Sequence, residues 1–69
     1  MKSICDLIKD NYKIQLELNE DGDILIRMVK ENRFIETGIQ ASLIQNDDKL
    51  LNELNECKES IDERLEIQY

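Results

Sequence analysis

The chain has 69 residues and a net charge of −7, from 16 acidic and 9 basic residues, and it contains neither histidine nor proline. This length has room for one domain, residues 1–69, whose core is expected to contribute only roughly 3–5 kcal/mol. The negative charge opposes direct binding to nucleic acid or to an anionic membrane, and no apolar run approaches the ~20 residues of a membrane span. Because 41% of the residues are hydrophobic, we expect a folded chain rather than a disordered one.

The first predicted element is a short helix over the stretch SICDLIKDN. Ser3 is suited to cap its N-terminus, with Asp6 in the position that Glu occupies in a capping box. Ile4, Leu7 and Ile8 then fall on one side at helical spacing, and we expect this side to face the core. The charges in MKSICDLIKDN make it a poor signal peptide, so we expect a cytoplasmic protein.

The stretch YKIQLELN alternates between apolar and polar residues, which predicts a half-buried strand. Its apolar face consists of Tyr12, Ile14, Leu16 and Leu18. In the turn NEDGD that follows, Gly22 is suited to a position with positive φ. A two-residue Asp21-Gly22 loop would turn the apolar residues of the next strand to the polar side. A three-residue loop from Glu20 to Gly22 pairs Leu18 with Ile24 instead, so we predict the three-residue loop.

A second turn is predicted at Glu31 and Asn32, inside the stretch ILIRMVKENRFIE. A two-residue loop there continues the apolar face of the first hairpin into a third strand. The facing pairs are Met28 with Ile35, Ile26 with Thr37, and Ile24 with Ile39. The result is a three-stranded antiparallel meander.

After the third strand the spacing becomes that of a long helix over DDKLLNELNECKESIDERLE, with Asn46 or Asp47 as its cap. Its apolar stripe consists of Leu50, Leu54, Cys57, Ile61 and Leu65. The end is ambiguous, because RLEIQY also alternates and Leu65, Ile67 and Tyr69 fit a short terminal strand as well. We predict an α+β fold with the order α-β-β-β-α, in which both helices pack on one face of the meander.

The two cysteines, Cys5 and Cys57, each fall among apolar neighbours at helical spacing. We expect two reduced thiols in the core. A disulfide between the two helices is the alternative, although such bridges are rare in the cytosol.

The opposite, outer face of the predicted sheet also carries apolar residues. Its candidate partner-binding residues are Leu25, Arg27, Val29, Phe34 and Glu36. In the predicted register Val29 faces Phe34 and Arg27 faces Glu36, while Leu25 faces Gly38, which has no side chain. One interpretation is a docking surface, since aromatic residues and arginines are enriched in interface cores. The other is that a small sheet simply exposes a few scattered hydrophobic residues.

The long helix is predicted to be acidic on the side opposite its apolar stripe. This side carries Asp48, Asn52, Glu56, Glu59, Glu63 and Glu66. The ordinary interpretation is a solvated helix face. The alternative is mimicry of nucleic acid by the last four of these carboxylates, because carboxylates repeating every ~5–6 Å along a helix approach the spacing of backbone phosphates.

Catalysis is not indicated by the residue types present. The chain lacks histidine, the usual base near neutral pH, and Ser3, Ser42 and Ser60 have no recognisable nucleophile context. Neither glycine opens a phosphate-binding loop. We expect a protein that is not an enzyme and that uses no metal or cofactor.

The whole chain resembles the small acidic accessory proteins of bacteriophages and prophages, which include anti-CRISPR proteins and other inhibitors of host defence. The resemblance lies in its length and in the Ile/Asn/Lys/Glu-rich composition of stretches such as IKDNYKIQ and IQNDDKLLNELNECKE. It implies an inhibitor that binds a host protein stoichiometrically in the host cytoplasm. The target would be a defence or nucleic-acid-processing protein, and the negative charge of the chain favours one with a basic surface.

Two hypotheses for function follow from these observations. The first is a protein-binding inhibitor that uses the outer sheet face, the acidic helix, or both. The alternative is a homodimeric structural or assembly protein that pairs through the same sheet face and has no inhibitory target.

Overall fold

The computed structural model describes residues 1–63, and it confirms the predicted α+β order. Helix α1 (Ile4–Lys9) is followed by strands β1 (Lys13–Leu18), β2 (Asp23–Lys30) and β3 (Arg33–Gln40), a 3₁₀ helix (Ala41–Leu43) and helix α2 (Asp47–Glu63). The strands form one antiparallel sheet in the order β1-β2-β3, as predicted. The 3₁₀ helix was not predicted.

Both helices begin at side-chain caps. The Ser3 hydroxyl accepts a hydrogen bond from the Asp6 amide at 3.1 Å, which satisfies one of the free N–H groups in the first turn of α1. At α2 the cap is Asn46, one of the two predicted candidates, whose side-chain oxygen accepts from the Lys49 amide at 2.9 Å. Between α1 and β1 the chain turns at Asn11, with φ of 71°, a conformation that Asn tolerates better than most residues.

The first hairpin has the predicted three-residue loop. Asn19 donates its amide to the Asp23 carbonyl at 2.9 Å, and Leu18 lies opposite Ile24. Gly22 adopts φ of +83°, in the left-handed region that glycine enters without steric cost. The Asn19 side-chain oxygen also accepts from the amides of Asp21 and Asp23, so this residue closes the turn from inside.

The second hairpin has the predicted two-residue loop at Glu31 and Asn32. Its register pairs Val29 with Phe34 and Met28 with Ile35, as expected. Glu31 adopts φ of 57°, which compact loops of this kind require at their first position.

The core lies between the inner face of the sheet and the two helices. It consists of Leu7, Tyr12, Ile26, Met28, Leu54, Cys57 and Ile61, with Ile14, Ile24, Ile35, Ile39 and Leu50 partly buried against it. The predicted stripe of α2 is therefore confirmed as far as Ile61. The remaining stripe position, Leu65, and the possible terminal strand through Ile67 and Tyr69 lie outside the described residues.

Several residues predicted to be buried on α1 are exposed. Ile4 and Ile8 face solvent, and so does Cys5, so the prediction of two core thiols is wrong for Cys5 and holds only for Cys57. Helix α1 has only six residues and packs mainly against β1, so a single side chain, Leu7, reaches the core.

Half of the predicted inner face of β1 is also exposed. Leu16 retains 45% of its accessible surface and Leu18 retains 66%, although both project from the same face as the buried Ile26 and Met28. Helix α2 packs against β2 and β3, and α1 packs where β1 begins. Neither helix covers the second half of β1, so the prediction that this face is buried along its whole length is wrong.

A polar cluster that the sequence did not indicate fixes the C-terminal end of α2. The Tyr12 hydroxyl donates to Asp62 at 2.7 Å, and the Lys58 ammonium donates to the other oxygen of that carboxylate at 2.7 Å. Arg33 donates to the Ile61 carbonyl at 3.2 Å, and the Lys30 ammonium lies 4.4 Å from the centre of the Tyr12 ring. Tyr12, just before β1, and Arg33, at the start of β3, thus bond directly to the C-terminal end of α2. Lys30, at the end of β2, joins them through its contact with the Tyr12 ring.

The cluster shifts two ionisation equilibria. Burial and then the hydrogen bond to Asp62 raise the pKa of Tyr12 from 10.0 to about 12. Burial acts to raise the pKa of Asp62, but the hydrogen bonds from Lys58 and Tyr12 outweigh it and lower that pKa overall. The neutral phenol and the ionised carboxylate are therefore both part of the folded state.

A second link holds the N-terminal segment on α2. The Lys2 amide donates to the Asn55 side-chain oxygen at 2.8 Å, and the Asn55 side-chain nitrogen donates back to the Lys2 carbonyl at 2.9 Å.

In the described part of the chain, neither helix has the length and apolar character needed to cross a bilayer.

Candidate protein-docking surface

The five residues predicted to form a docking surface lie together on the outer face of the sheet. Leu25, Arg27 and Val29 project from β2, and Phe34 and Glu36 project from β3, all on the face opposite the core. Leu25 retains 39% and Phe34 retains 50% of their accessible surface, while Val29 is half-buried. The sheet thus presents two large apolar side chains to solvent on the face that both helices leave uncovered.

Arg27 lies at the centre of this surface. Its guanidinium is 3.2 Å from a Glu36 carboxylate oxygen and 5.3 Å from the centre of the Phe34 ring. An exposed ion pair and an exposed cation–π contact each contribute at most about 1 kcal/mol. Their main effect is geometric, since they hold the guanidinium of Arg27 in place beside two residues of β3.

A shallow depression of about 400 Å³ lies beside Arg27. It is lined by Gln15, Glu17, Leu25, Ile26, Arg27, Glu36, Thr37 and Gly38. The depression exists because Gly38 has no side chain opposite Leu25, and a Cβ built at Gly38 would lie 3.4 Å from Leu25 Cδ2. The depression is open to solvent and leaves Leu25 and Arg27 accessible.

Gln15 and Glu17 alternate with the apolar residues of β1 and so lie on this face, but they were not predicted as binding residues. The signal that could have found them is the register of the first hairpin. Gln15 lies opposite Arg27 and Glu17 opposite Leu25, so both border the gap left by Gly38. The surface consequently extends over all three strands.

The acidic side of α2 lies on the other side of the molecule. Glu56, Glu59 and Glu63 are exposed there, and so are Asp48 and Asn52. The remaining residue of the predicted acidic face, Glu66, lies outside the described part of the chain. The helix packs its buried residues on the inner face of the sheet, so this acidic side points away from the outer face. The two candidate binding surfaces are therefore separate.

The acidic side also affects the one buried cysteine. Burial, and then the carboxylates of Glu53 and Glu56, raise the pKa of the Cys57 thiol. A thiol with a raised pKa stays protonated and is a poor nucleophile at neutral pH. Cys57 is therefore a packing residue in this arrangement.

Residues 1–63 contain no group of three or more His, Cys, Asp or Glu side chains arranged to hold a metal ion. Comparison of the chain with protein-family models, with curated proteins and with solved structures finds no match. The surface geometry of the chain itself therefore provides the main indication of its function.

Proposed function

We propose that this chain is a non-enzymatic protein-binding module that docks on another protein through the outer face of its sheet. The observation that supports this proposal is the exposure of Leu25 and Phe34 on either side of Arg27, on a face that neither helix covers. Interface cores are enriched in aromatic residues and arginine, and their binding energy is concentrated in a few such side chains.

The rigidity of the surface also favours docking. Its residues stand on paired strands, and Arg27 is already held by Glu36 and by the Phe34 ring before a partner arrives. Binding to such a surface orders few additional side chains, and the entropic cost of association is correspondingly lower.

The partner class that fits best is a host defence or nucleic-acid-processing protein in the cytoplasm, blocked by stoichiometric binding. The resemblance to small acidic phage proteins favours such a target, and so does the net charge of −7. A strongly acidic protein is attracted to a basic surface, and this attraction increases the association rate.

The test is affinity capture from a host lysate with matched variants of the chain. Leu25→Thr and Phe34→Thr remove apolar surface while keeping a residue that strands favour. Leu43→Thr removes a leucine of similar exposure in the 3₁₀ helix, away from the outer face, and serves as the control. We expect a protein captured by the wild type and by the Leu43 variant, and largely lost with the two outer-face variants. Equal capture by all four chains would contradict the proposal.

A second candidate function is mimicry of nucleic acid by α2, favoured by the exposed carboxylates of Glu56, Glu59 and Glu63. Changing all three to Gln removes three charges and retains the size of the side chains. If α2 makes the contact, this variant loses the captured protein while the outer-face variants retain it. If the outer face makes the contact, the pattern is reversed.

Light scattering distinguishes docking on another protein from self-association through the same face. A wild-type dimer that becomes a folded monomer in Phe34→Asp would assign the outer face to a homodimer and would contradict the inhibitor proposal. We expect Phe34→Asp to leave the oligomeric state unchanged.

A further inference from the structure

We propose that β1 is the dimerisation edge of this protein, where a second copy of the chain adds its own β1 in antiparallel orientation. The pairing would join two three-stranded sheets into one continuous sheet and would leave the outer face of each copy accessible. This proposal is independent of the proposed docking on another protein.

The first observation is that, within the described part of the chain, β1 has an open backbone edge. β1 pairs with β2 on one side only, and among residues 1–63 no backbone partner lies on its other side. Asn19 bonds to Asp23, and in an antiparallel ladder the bonded positions then alternate along the strand. The amides and carbonyls of Ile14, Leu16 and Leu18 therefore point outward from the sheet edge.

The second observation is that this edge lacks most of the usual protections against strand addition. Natural edges are blocked by proline, by bulges, by inward-pointing charges or by charged side chains along the edge. Of these, β1 has only the charged side chains of Lys13 and Glu17, which lie on its outer face. β1 pairs with β2 in an unbroken register, and its inward-facing residues are all apolar. Leu16 and Leu18 are the inner-face residues of β1 that the helices leave exposed.

The third observation is that the strand is complementary to itself. If Gln15 of one copy lies opposite Gln15 of the partner subunit, Lys13 faces the partner's Glu17 on the outer face, and Glu17 faces the partner's Lys13. On the inner face Ile14 faces the partner's Leu16. Ile14 and Leu16 are also residues whose backbone groups point outward from the edge. This register therefore satisfies the backbone hydrogen bonds, the charge pairs and the apolar contacts together.

The same register repairs the incomplete coverage of the inner face. Leu18 comes to lie opposite the partner's Tyr12, at the end of the strand where α1 packs. The end of β1 that neither helix covers thus lies beside the end of the partner's β1 that α1 covers. The edge is short, so we expect a transient dimer that depends on concentration.

The experiment is sedimentation equilibrium or light scattering over roughly 10–500 µM, the range in which small interfaces associate. We expect the mass to rise from 8.2 kDa towards twice that value. Leu16→Lys should abolish the rise, because it places a charge on the inner side of the pairing edge. The control Leu43→Lys changes a comparably exposed leucine elsewhere and should behave as the wild type.

A charge exchange tests the register. Lys13→Glu and Glu17→Lys each create two like-charge pairs, and we expect each to weaken the dimer about tenfold. The double variant restores both opposite-charge pairs and the original net charge, and we expect its dissociation constant to return to within about threefold of the wild type. Glu17→Lys alone makes the chain less negative. If only general repulsion between the two copies mattered, this variant would associate more tightly than the wild type, whereas the proposed register predicts weaker association.

Several results would overturn the proposal. These are a wild type that stays monomeric over the whole range, a Leu16→Lys variant that still dimerises, or a double variant that is not restored. Circular dichroism of each variant establishes that it is folded, since Lys13, Leu16 and Glu17 are exposed and their substitution should leave the monomer intact.

Discussion

Only one of the two glycines of the chain needs the backbone freedom of glycine. Gly22 has φ of +83° in the first hairpin turn, whereas Gly38 lies in a strand without positive φ. A Cβ at Gly22 would have no atom within 4 Å, but the left-handed backbone there would be strained for any other residue. A Cβ at Gly38 would contact only the end of the Leu25 side chain. The first glycine is therefore required by the turn, and the second creates the depression in the candidate docking surface.

We predict that Gly22→Ala lowers the free energy of unfolding by about 1 kcal/mol, the cost of the left-handed conformation for a residue with a Cβ. Gly38→Ala should leave it unchanged or raise it by about 0.4–1 kcal/mol, because alanine restricts the unfolded chain. Chemical denaturation measures both. Gly38→Ala should also weaken partner binding, since its methyl group enters the depression. A large loss of stability in Gly38→Ala would contradict this account of the strand.

Tyr12 gives the fold a predictable response to alkaline pH. The pKa of Tyr12 is about 12 in the folded chain against 10.0 for the unperturbed group, so the unfolded state releases this proton first as the pH rises. Stability from the neutral phenol is fully present below pH 10 and is lost between about pH 10 and pH 12.

Tyr12→Phe removes this group and its hydrogen bond to Asp62. We predict a loss of about 1 kcal/mol at neutral pH. The difference in unfolding free energy between wild type and variant should shrink as the pH passes 10, and denaturant titrations at a series of pH values measure it. A difference that stays constant up to pH 12 would show that the phenol does not ionise with the raised pKa.

At the scale of elements, the sheet could be predicted from the sequence and the helix coverage could not. Strand alternation and turn residues are local, and together they fix the register of both hairpins, including the pairs Val29–Phe34 and Arg27–Glu36. Whether Leu18 is buried depends on where α1 and α2 lie over the sheet, which no local pattern encodes. The outer-face candidates were predictable for the same reason, because they follow from register alone.

The polar cluster at the end of α2 shows the same limit. Tyr12 and Asp62 are separated by the entire sheet in the sequence, and neither lies in a motif that would suggest their contact. Their meeting is set by the crossing of α2 over the strands. Long-range side-chain pairs of this kind become visible only once the packing is known.

Helix α1 offers a matched pair of residues that tests its packing. Leu7 is fully buried, whereas its neighbour Ile8 retains 58% of its accessible surface. We predict that Leu7→Ala costs about 2–5 kcal/mol, which is enough to unfold much of the population of so small a domain. Ile8→Ala should cost about 0.5 kcal/mol or less. Thermal melts of the two variants measure these losses. Equal losses of stability in the two variants would indicate that α1 packs on the sheet through a different side.

At the scale of the whole molecule, residues 1–63 present three surfaces with different chemistry that point in different directions. The outer sheet face is apolar with a central arginine, the exposed side of α2 is acidic, and the β1 edge offers backbone groups that have no partner within these residues. Between Asp47 and Glu63 the helix carries seven acidic and two basic residues, so much of the net charge lies opposite the outer face. A contact on the outer face would therefore depend on Leu25, Arg27 and Phe34 rather than on the charge of α2.

The central claim is that the outer face of the sheet is where a partner protein docks. Chemical-shift mapping of the ¹⁵N-labelled chain, titrated with the captured partner, tests it most directly. We predict that the largest shifts fall on Leu25, Arg27, Phe34 and Glu36, with α2 largely unaffected. Shifts concentrated on Glu56, Glu59 and Glu63, with the outer face unchanged, would contradict it.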